Sequence, residues 1–229
     1  MVDFVKSHVN ENVFVLVEDQ RSYLDGLLTP ERLVELANIK RGIGFDQLLW
    51  FRARGQSKDY DYRIFNADGS ESDQCGNGAL SVAAYLCQRH SWSSHDIIRL
   101  HTRTQIIEVS GDHDTMTAIL GPVKPAIPAH VTVNGNKVHS FEVGNLHAVA
   151  QWHQIEAVCL PEVYQSIVSH FDQPMNLSLF DWKGSVIHAR IYERGVGETH
   201  SCGSGVCCIA AMILSTDASL TEVSIQTPG

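Results

Sequence analysis

The sequence lacks any apolar run long enough to span a bilayer, which predicts a protein with no membrane partner. It is also poor in positive charge, because 17 Lys and Arg residues stand against 26 Asp and Glu residues and give a formal net charge of −9. This balance argues against a nucleic-acid partner but is compatible with a small dianionic substrate bound by local charges. Residues 1–6 lack a signal-peptide pattern, so we expect a cytoplasmic protein.

Several common site patterns are missing as well. The six cysteines do not have the spacing of a small disulfide scaffold, which favours a reducing compartment. One histidine and three cysteines between positions 200 and 208 lack the spacing of a tetrahedral zinc site, and Cys207 and Cys208 are interpreted as helix-packing residues. The glycines of residues 195–197 lack the third glycine of a dinucleotide fingerprint, and no phosphate-binding loop is present. The sequence therefore predicts neither a metal nor a cofactor.

One stretch occurs twice, 127 residues apart. Residues 65–78 are FNADGSESDQCGNG, and residues 192–205 are YERGVGETHSCGSG. In each copy an aromatic residue stands ten positions before a cysteine and a glutamate stands four positions before it. Each cysteine, Cys75 or Cys202, is followed by Gly-x-Gly and then by an apolar run. Two matching half-sites predict two matching lobes, each with a cysteine at the start of a buried helix.

A cysteine at a helix start has a chemical use. The unpaired N–H groups and partial positive charge of a helix N-terminus favour a thiolate. We expect the flanking glycines to let an anion reach these N–H groups. Two such termini facing each other would hold one carboxylate with a thiol on either side, as in a two-base racemase or epimerase. A single Cys-Gly-x-Gly is more often a tight turn before a packed helix, but its repetition in matched context favours the catalytic interpretation.

Both cysteine blocks resemble the signature blocks of the diaminopimelate epimerase family. Residues 42–49 and 144–147 resemble two further blocks, and the resemblance runs in order from Phe4 to the end of the chain. It implies a cofactor-independent isomerase that interconverts LL- and meso-2,6-diaminopimelate in lysine and peptidoglycan synthesis. It also implies an α+β fold of two similar lobes related by pseudo-two-fold symmetry, each a curved β-sheet or barrel around a central helix. The proline-rich residues 121–129 are interpreted as a linker between lobes at 1–121 and 122–229.

The resemblance also implies the site. The catalytic residues would be Cys75 and Cys202 as the acid–base pair, with His147 and Glu193 orienting the α-amino group. Arg194 would bind the distal carboxylate. The full set of implied substrate ligands is Asn12, Gln47, Asn66, Gly76, Asn77, Asn145, Asn176, Glu193, Arg194, Gly203 and Ser204.

Some features leave alternatives open. In the family the segment matching residues 8–14 is His-Gly-Leu-Gly-Asn-Asp-Phe, whereas this chain has Val9 and Glu11 in place of the two glycines. A related racemase acting on proline, hydroxyproline or histidine is one alternative, and a non-catalytic binding protein is another. From the residues alone, Asn12 could be a turn residue, Gln47 a polar residue entering a strand, and His147 a satisfied core histidine.

Periodicity and capping predict the elements around these motifs. We expect a loop at 8–12, a helix starting at Thr29 and ended by Gly42, a helix over 78–88, polar turns such as 111–114, and a helix over 160–170. Asn134-Gly135 predicts a hairpin turn. The resemblance implies a homodimer, but family members continue beyond the position of Gly229 with a tail that helps to form it, which leaves the oligomeric state open.

Overall fold

The computed structural model describes residues 3–20, 26, 28–112 and 115–228. Contacts divide the chain into two compact units, residues 1–121 and residues 122–229. Positions 113 and 114 of the turn predicted at 111–114 lie outside the described residues. Among the helices in these ranges, none has the length and apolar character needed to cross a membrane.

The first unit pairs one mixed sheet with a long helix. Its elements are β1 (Val5–Val9), β2 (Asn12–Glu18), α1 (Pro30–Ala37), β3 (Gln47–Ala53), β4 (Asp59–Asn66), β5 (Glu71–Ser72), α2 (Gly76–His90), β6 (Ile98–His101), β7 (Ile106–Gly111) and β8 (Met116–Ile119). The strand order is β1-β2-β3-β4-β6-β7-β8, and β5 pairs with β4. Because α2 contacts both β1 and β8, which are the two edges of the sheet, the sheet curls around the helix.

The second unit has the same kind of construction. Its elements are β9 (Lys124–Val133), β10 (Asn136–Val143), β11 (Asn145–Gln151), a short 3-10 helix (Ile155–Ala157), α3 (Leu160–Val168), β12 (Asn176–Lys183), β13 (Val186–Glu193), β14 (Gly197–Thr199), α4 (Gly203–Thr216) and β15 (Ile225–Gln226). The strand order is β14-β13-β12-β11-β10-β9, with β15 beside β13. Helix α4 packs on β10, β11 and β12. The predicted α+β class is confirmed.

The internal repeat extends through the topology of both units. In the first unit β2 and β3 are parallel and joined through α1, and β4 and β6 are parallel and joined through β5 and α2. In the second unit β11 and β12 are joined through α3, and β13 and β15 through β14 and α4. The register also repeats, because Phe65 pairs with Glu71 and Tyr192 pairs with Glu198. The repeat seen in the cysteine blocks is therefore part of a larger structural duplication.

Helix α1 begins as its sequence predicts but ends earlier. The Thr29 hydroxyl accepts a hydrogen bond from the backbone N–H of Arg32, and Pro30 occupies the first turn. The helix ends at Ala37, so the prediction that Gly42 ends it is wrong. The chain instead folds back after Ala37, and the backbone N–H groups of Ile43 and Gly44 donate to the carbonyl oxygen of Leu36.

The segment at 8–12 is a tight hairpin rather than the predicted loop. Strands β1 and β2 continue up to a two-residue turn at Asn10 and Glu11, whose φ angles are 49° and 63°. Two positive φ angles define the type I′ turn that matches the twist of paired strands. Asparagine tolerates this conformation, whereas glutamate does so at a cost that glycine would avoid.

The proline-rich segment is a strand for most of its length. Residues 124–133 form β9 at the edge of the second sheet, so the prediction that residues 121–129 are a linker is wrong from position 124 onward. An edge strand tolerates Pro125 and Pro128 because one side of it needs no backbone donors. The turn predicted at Asn134 and Gly135 is confirmed, with φ angles of 52° and 79° between β9 and β10.

The long helices pack closely on their sheets through small and aliphatic side chains. In α2 the side chains of Ala79, Val82, Ala83 and Leu86 are fully buried. Removal of this apolar surface from water supplies the main free energy that holds the helix inside its curled sheet.

The paired cysteines of α4 divide between core and surface. Cys208 is fully buried, and burial raises its pKa to about 12, so it remains a thiol. Cys207 is exposed, so the interpretation of both residues as helix-packing residues holds for Cys208 only.

Glu11→Gly should stabilise the hairpin. Glycine relieves the positive φ angle and completes an Asn-Gly type I′ turn, so we expect the free energy of unfolding to rise by about 1 kcal/mol in urea denaturation. Asn10→Gly is the matched control, and it should have a smaller effect because asparagine already tolerates its φ angle. A less stable Glu11→Gly variant would show that side-chain contacts of Glu11 outweigh the backbone strain.

Candidate active site

Three predicted ligands of the first unit lie together along one edge of its sheet, the edge formed by the ends of adjacent strands. Asn12 begins β2, Gln47 begins β3, and Asn66 ends the antiparallel strand β4. The Gln47 Nε2 donates to Asn66 Oδ1 at 2.9 Å, and Asn66 Nδ2 donates to Ser70 Oγ at 3.0 Å. Asn12 Oδ1 and Gln47 Oε1 are buried without a hydrogen-bond partner among the described residues. Buried unpaired acceptors are costly, which distinguishes both side chains from ordinary turn or strand residues.

Asp46 supports this edge and was not singled out from the sequence. Its carboxylate accepts a hydrogen bond of 2.7 Å from the backbone N–H of Val13. Its own backbone N–H donates to the Val13 carbonyl, and its carbonyl accepts from the N–H of Ala67. Asp46 thereby ties the starts of β2 and β3 to the turn after β4. The sequence did offer a signal for Asp46, because it directly precedes Gln47 within residues 42–49, which resemble a block of the family.

The second unit assembles its predicted ligands in the same way. Asn145 begins β11, Asn176 begins β12, and Glu193 ends β13. Asn176 Oδ1 accepts a hydrogen bond of 3.0 Å from the backbone N–H of Arg194, which fixes the chain at the base of that arginine. The Thr199 hydroxyl donates to Glu193 Oε1 at 2.7 Å and holds the carboxylate. Each unit therefore places an amide-rich edge beside its cysteine block.

Both cysteines occupy the position expected for a helix start. Cys75 is the N-cap of α2 and Cys202 the N-cap of α4, each with an extended backbone. The backbone N–H of Gly78 donates to the Cys75 sulfur at 3.2 Å. The Cys202 sulfur lies 3.3 Å from the hydroxyl of Ser204. The predicted carboxylate-binding residues, Gly76 with Asn77 and Gly203 with Ser204, form the first two positions of these helices.

The second glycine of each Gly-x-Gly has a packing reason. A Cβ at Gly78 would lie 2.6 Å from the hydroxyl oxygen of Tyr62 and 3.0 Å from Leu49 Cδ2. A Cβ at Gly205 would lie 2.6 Å from the hydroxyl oxygen of Ser178. Side chains of the chain itself occupy these places. The expectation that this glycine opens a path for an anion is therefore wrong.

These neighbours can be matched between the units by strand register. Leu49 lies opposite Ile64 in the β3–β4 pair, and Ser178 lies opposite Ile191 in the β12–β13 pair. Ile64 and Ile191 are the residues that precede the two repeated blocks. Leu49 and Ser178 therefore occupy equivalent positions.

The repeated glutamates form ion pairs with repeated arginines. Arg63 binds Glu71 through Nε and Nη2 at 2.9 and 3.1 Å, and Arg190 binds Glu198 at 2.7 and 2.8 Å. Each pair holds the short strand before a cysteine against the preceding long strand. Sequence reasoning noted the glutamates but missed Arg63 and Arg190, although they too stand 127 residues apart.

His147 is a buried and neutral side chain. It is fully buried, and neither ring nitrogen has a hydrogen-bond partner within the described part of the chain. Burial lowers its pKa to about 4. The alternative of a satisfied core histidine therefore does not fit its surroundings. The equivalent place in the first unit, two residues after the leading asparagine, holds the fully buried Phe14.

Comparison with solved structures places the fold. A hydroxyproline epimerase from Agrobacterium vitis matches with a TM-score of 0.71 at 11% identity, covering 96% of this chain and 78% of that one. A PhzF-family phenazine biosynthesis protein from Enterococcus faecalis matches with a TM-score of 0.63 at 16% identity, covering 100% and 85%. At such identities the likeness establishes the fold alone.

Sequence comparison is more specific. The family model described as diaminopimelate epimerase matches residues 4–125. A diaminopimelate epimerase of Legionella pneumophila (strain Corby) is 30% identical over all of this chain and 88% of its own length. One from Psychrobacter sp. (strain PRwf-1) is 34% identical over 92% of this chain and 78% of its own length. The protein is an isomerase of the epimerase class. It belongs to the diaminopimelate epimerase family.

The contact between Gly205 and Ser178 predicts that Gly205→Ala destabilises the parent protein but stabilises a Ser178→Ala variant. Gly205→Ala alone should lower the free energy of unfolding by about 1–3 kcal/mol, because its Cβ overlaps the Ser178 hydroxyl. In a Ser178→Ala background the other atoms near that Cβ lie at 3.5 Å or more, which is ordinary contact. There the same change should stabilise by up to about 1 kcal/mol, since alanine favours helix over glycine. A double-mutant cycle in urea measures the coupling, and simple additivity of the two changes would contradict the packing explanation.

Burial of neutral His147 should make the fold sensitive to acid. Its pKa is about 4 in the folded protein and 6.5 in the reference state, so the unfolded chain binds the proton more readily. Stability should fall as pH drops from 6.5 to 4, by roughly 3 kcal/mol at most from this group. His147→Phe, which copies Phe14 of the first unit, should remove this component of the pH dependence in chemical denaturation. An unchanged slope in the variant would contradict the assignment.

Proposed function

We propose that this protein interconverts LL- and meso-2,6-diaminopimelate without a cofactor, with Cys75 and Cys202 as the acid–base pair. The observation that carries the proposal is that two matched units each present a cysteine as the N-cap of a glycine-started helix. Inversion at a carbon needs a base on one face and an acid on the other, and the two thiols supply these groups. The named relatives support diaminopimelate as the substrate.

The helix starts would lower the barrier to proton removal. The Cα–H of an amino acid is a very weak acid, so the reaction needs stabilisation of the charge that develops on the adjacent carboxylate. Backbone N–H groups at Gly76 with Asn77 and at Gly203 with Ser204 are proposed to donate to that carboxylate. Preorganised donors of this kind typically contribute about 3–4 kcal/mol each. The same positive helix ends favour the thiolate form of whichever cysteine acts as the base.

The α-amino group would be held by the second unit. Glu193, whose carboxylate Thr199 holds in place, is proposed to accept hydrogen bonds from the ammonium group. His147 has two ring nitrogens without partners among the residues described and stays neutral above about pH 4. A neutral imidazole can accept from the ammonium group or donate to a thiolate without adding positive charge.

The distal end of the substrate would be selected by Arg194. A planar guanidinium binds a carboxylate through two parallel hydrogen bonds, which suits the second amino-acid head of diaminopimelate. Asn176 positions this arginine through the backbone N–H bond. Asn66 is proposed to bind the same end of the substrate through its second Nδ2–H and the remaining lone pair of Oδ1, because its other N–H and lone pair already bond Ser70 and Gln47. Asn12, Gln47 and Asn145 complete the proposed ligand set at the two sheet edges.

The setting of the reaction follows from the same chemistry. Thiols that act as acid and base must stay reduced, which supports a cytoplasmic location. A role in lysine biosynthesis is proposed from the family resemblance. A homodimer is proposed from the family resemblance, and light scattering of the purified protein would measure it. The competing function, a binding protein without turnover, is separated from this proposal by the experiment that follows.

Cys75→Ala and Cys202→Ala should each abolish epimerisation. Purified protein incubated with LL-diaminopimelate in D2O should form meso product carrying deuterium at the inverted centre, followed by NMR and chiral chromatography. Each alanine variant should lose at least about a thousandfold in kcat, because removal of an acid or base leaves one face without proton transfer. Cys207→Ala is the matched control, since Cys207 lies on the exposed side of the same helix as Cys202.

Two outcomes would contradict the proposal. Full turnover by either single variant would show that the two thiols are not the acid–base pair. A rise in melting temperature with diaminopimelate but no isotope exchange in the parent protein would indicate the binding function instead.

A further inference from the structure

Each cysteine-capped helix starts against one buried hydroxyl group. The Tyr62 hydroxyl lies 2.6 Å from the place of a Cβ at Gly78, and the Ser178 hydroxyl lies at the same distance from that place at Gly205. The two side chains are 1% and 0% exposed. Across the residues that the structure describes, neither hydroxyl has a hydrogen-bond partner. An unpaired buried hydroxyl costs about 1–3 kcal/mol, so its presence at both helix starts requires an explanation.

The two hydroxyls come from different strands of the repeat. Tyr62 lies on β4, and the equivalent residue of β13, 127 positions later, is Ala189. Ser178 lies on β12, where the equivalent residue of β3 is Leu49. The first unit thus uses leucine and tyrosine where the second uses serine and alanine. Duplication alone does not produce this exchange, because the hydroxyl stays at the helix start while the residue that supplies it changes.

In the first unit the hydroxyl and the cysteine sulfur face the same point. A Cβ built at Gly78 would lie 3.2 Å from the Cys75 sulfur and 2.6 Å from the Tyr62 hydroxyl oxygen. Burial raises the pKa of Tyr62 well above its usual value, and negative charge on Cys75 raises it further. Tyr62 therefore keeps its proton when Cys75 is a thiolate, and it acts as a donor rather than as a base.

The charged groups before Cys75 are engaged elsewhere. Glu71 binds Arg63 and also lies 3.7 Å from Arg103. Asp73 accepts hydrogen bonds from the guanidinium of Arg103. Tyr62 takes part in none of these ion pairs, so a change in the Cys75 pKa after Tyr62 is altered is expected to report on the hydroxyl.

We infer that Tyr62 is a positioning residue whose hydroxyl donates a hydrogen bond to the Cys75 sulfur when that sulfur is a thiolate, after a small shift of the Tyr62 ring or of the Cys75 side chain. This inference rests on the proposed function, in which Cys75 alternates between thiol and thiolate. When Cys75 takes the Cα proton, the S–H bond forms, the hydrogen bond from Tyr62 weakens, and Tyr62 retains its own proton throughout. A donor left unpaired in the folded protein stabilises only the charged state of the sulfur, which is the state that catalysis needs. Ser178 occupies the corresponding place beside Gly205 in the second unit.

Tyr62→Phe tests this inference. The rate of Cys75 alkylation by iodoacetamide, measured at the peptide level across pH 6–10, should have its midpoint shifted by about one pH unit to higher pH, since hydrogen bonds to charged groups are worth about that much. For diaminopimelate epimerisation, kcat should fall about tenfold with KM unchanged. The melting temperature should not fall, because the variant removes a hydroxyl that makes no hydrogen bond in the folded protein.

Tyr60→Phe is the control. Tyr60 is a buried tyrosine on the same face of the same strand, and its replacement by phenylalanine should leave the Cys75 midpoint and kcat unchanged. A Tyr62→Phe protein with native stability and an unchanged Cys75 midpoint overturns the inference. If the parent protein does not epimerise diaminopimelate but the midpoint still shifts, the proposed function fails while the link between Tyr62 and Cys75 stands.

Discussion

The start of a buried helix at a cysteine is the constraint on which the rest of each unit depends. A side chain at the N-cap faces unpaired backbone N–H groups, and here the sulfur of Cys75 accepts one of them. For the helix to start there, its third residue must approach the neighbouring strands closely, which only glycine allows. The curled sheet supplies these strands and encloses the apolar remainder of the helix. Packing thus requires the second glycine of Cys-Gly-x-Gly, and the proposed chemistry requires the cysteine that begins it.

Much of this arrangement could be predicted from the sequence. The repeat of the cysteine blocks predicted two matching lobes with a cysteine at each helix start, because capping and glycine preferences are local. The family resemblance predicted the α+β class. The family resemblance placed Asn12, Gln47 and Asn176, and each proves to begin a strand at the relevant sheet edge. The Asn134-Gly135 turn was also predictable, since its geometry depends on two residues alone.

The contacts that were missed depend on pairing between distant residues. Neither the Arg63–Glu71 pair nor its counterpart follows from local pattern, because strand register brings them together. The strand character of residues 124–133 was hidden by prolines, which an edge position tolerates and an inner strand does not. The glycines were assigned to anion access because the sequence did not show that Tyr62 and Ser178 fill the space beside them.

The segments that connect the parallel strands, which contain α1 and α3, pack against the repeated cysteine blocks and the strands that lead into them. In the first unit the backbone of Gly69 lies so close to Pro30 that a Cβ there would come within 2.7 Å of the Pro30 carbonyl oxygen. In the second unit Arg190 donates to the carbonyl oxygens of Ile155 and Val158, just before α3. A fragment that contained only the hairpin and the cysteine-capped helix would lose these contacts. We therefore expect that a peptide cut from either unit does not hold its cysteine in place unless it includes the segment that connects the two preceding parallel strands. That segment should be kept when a unit is dissected or when the cysteine turn is grafted elsewhere.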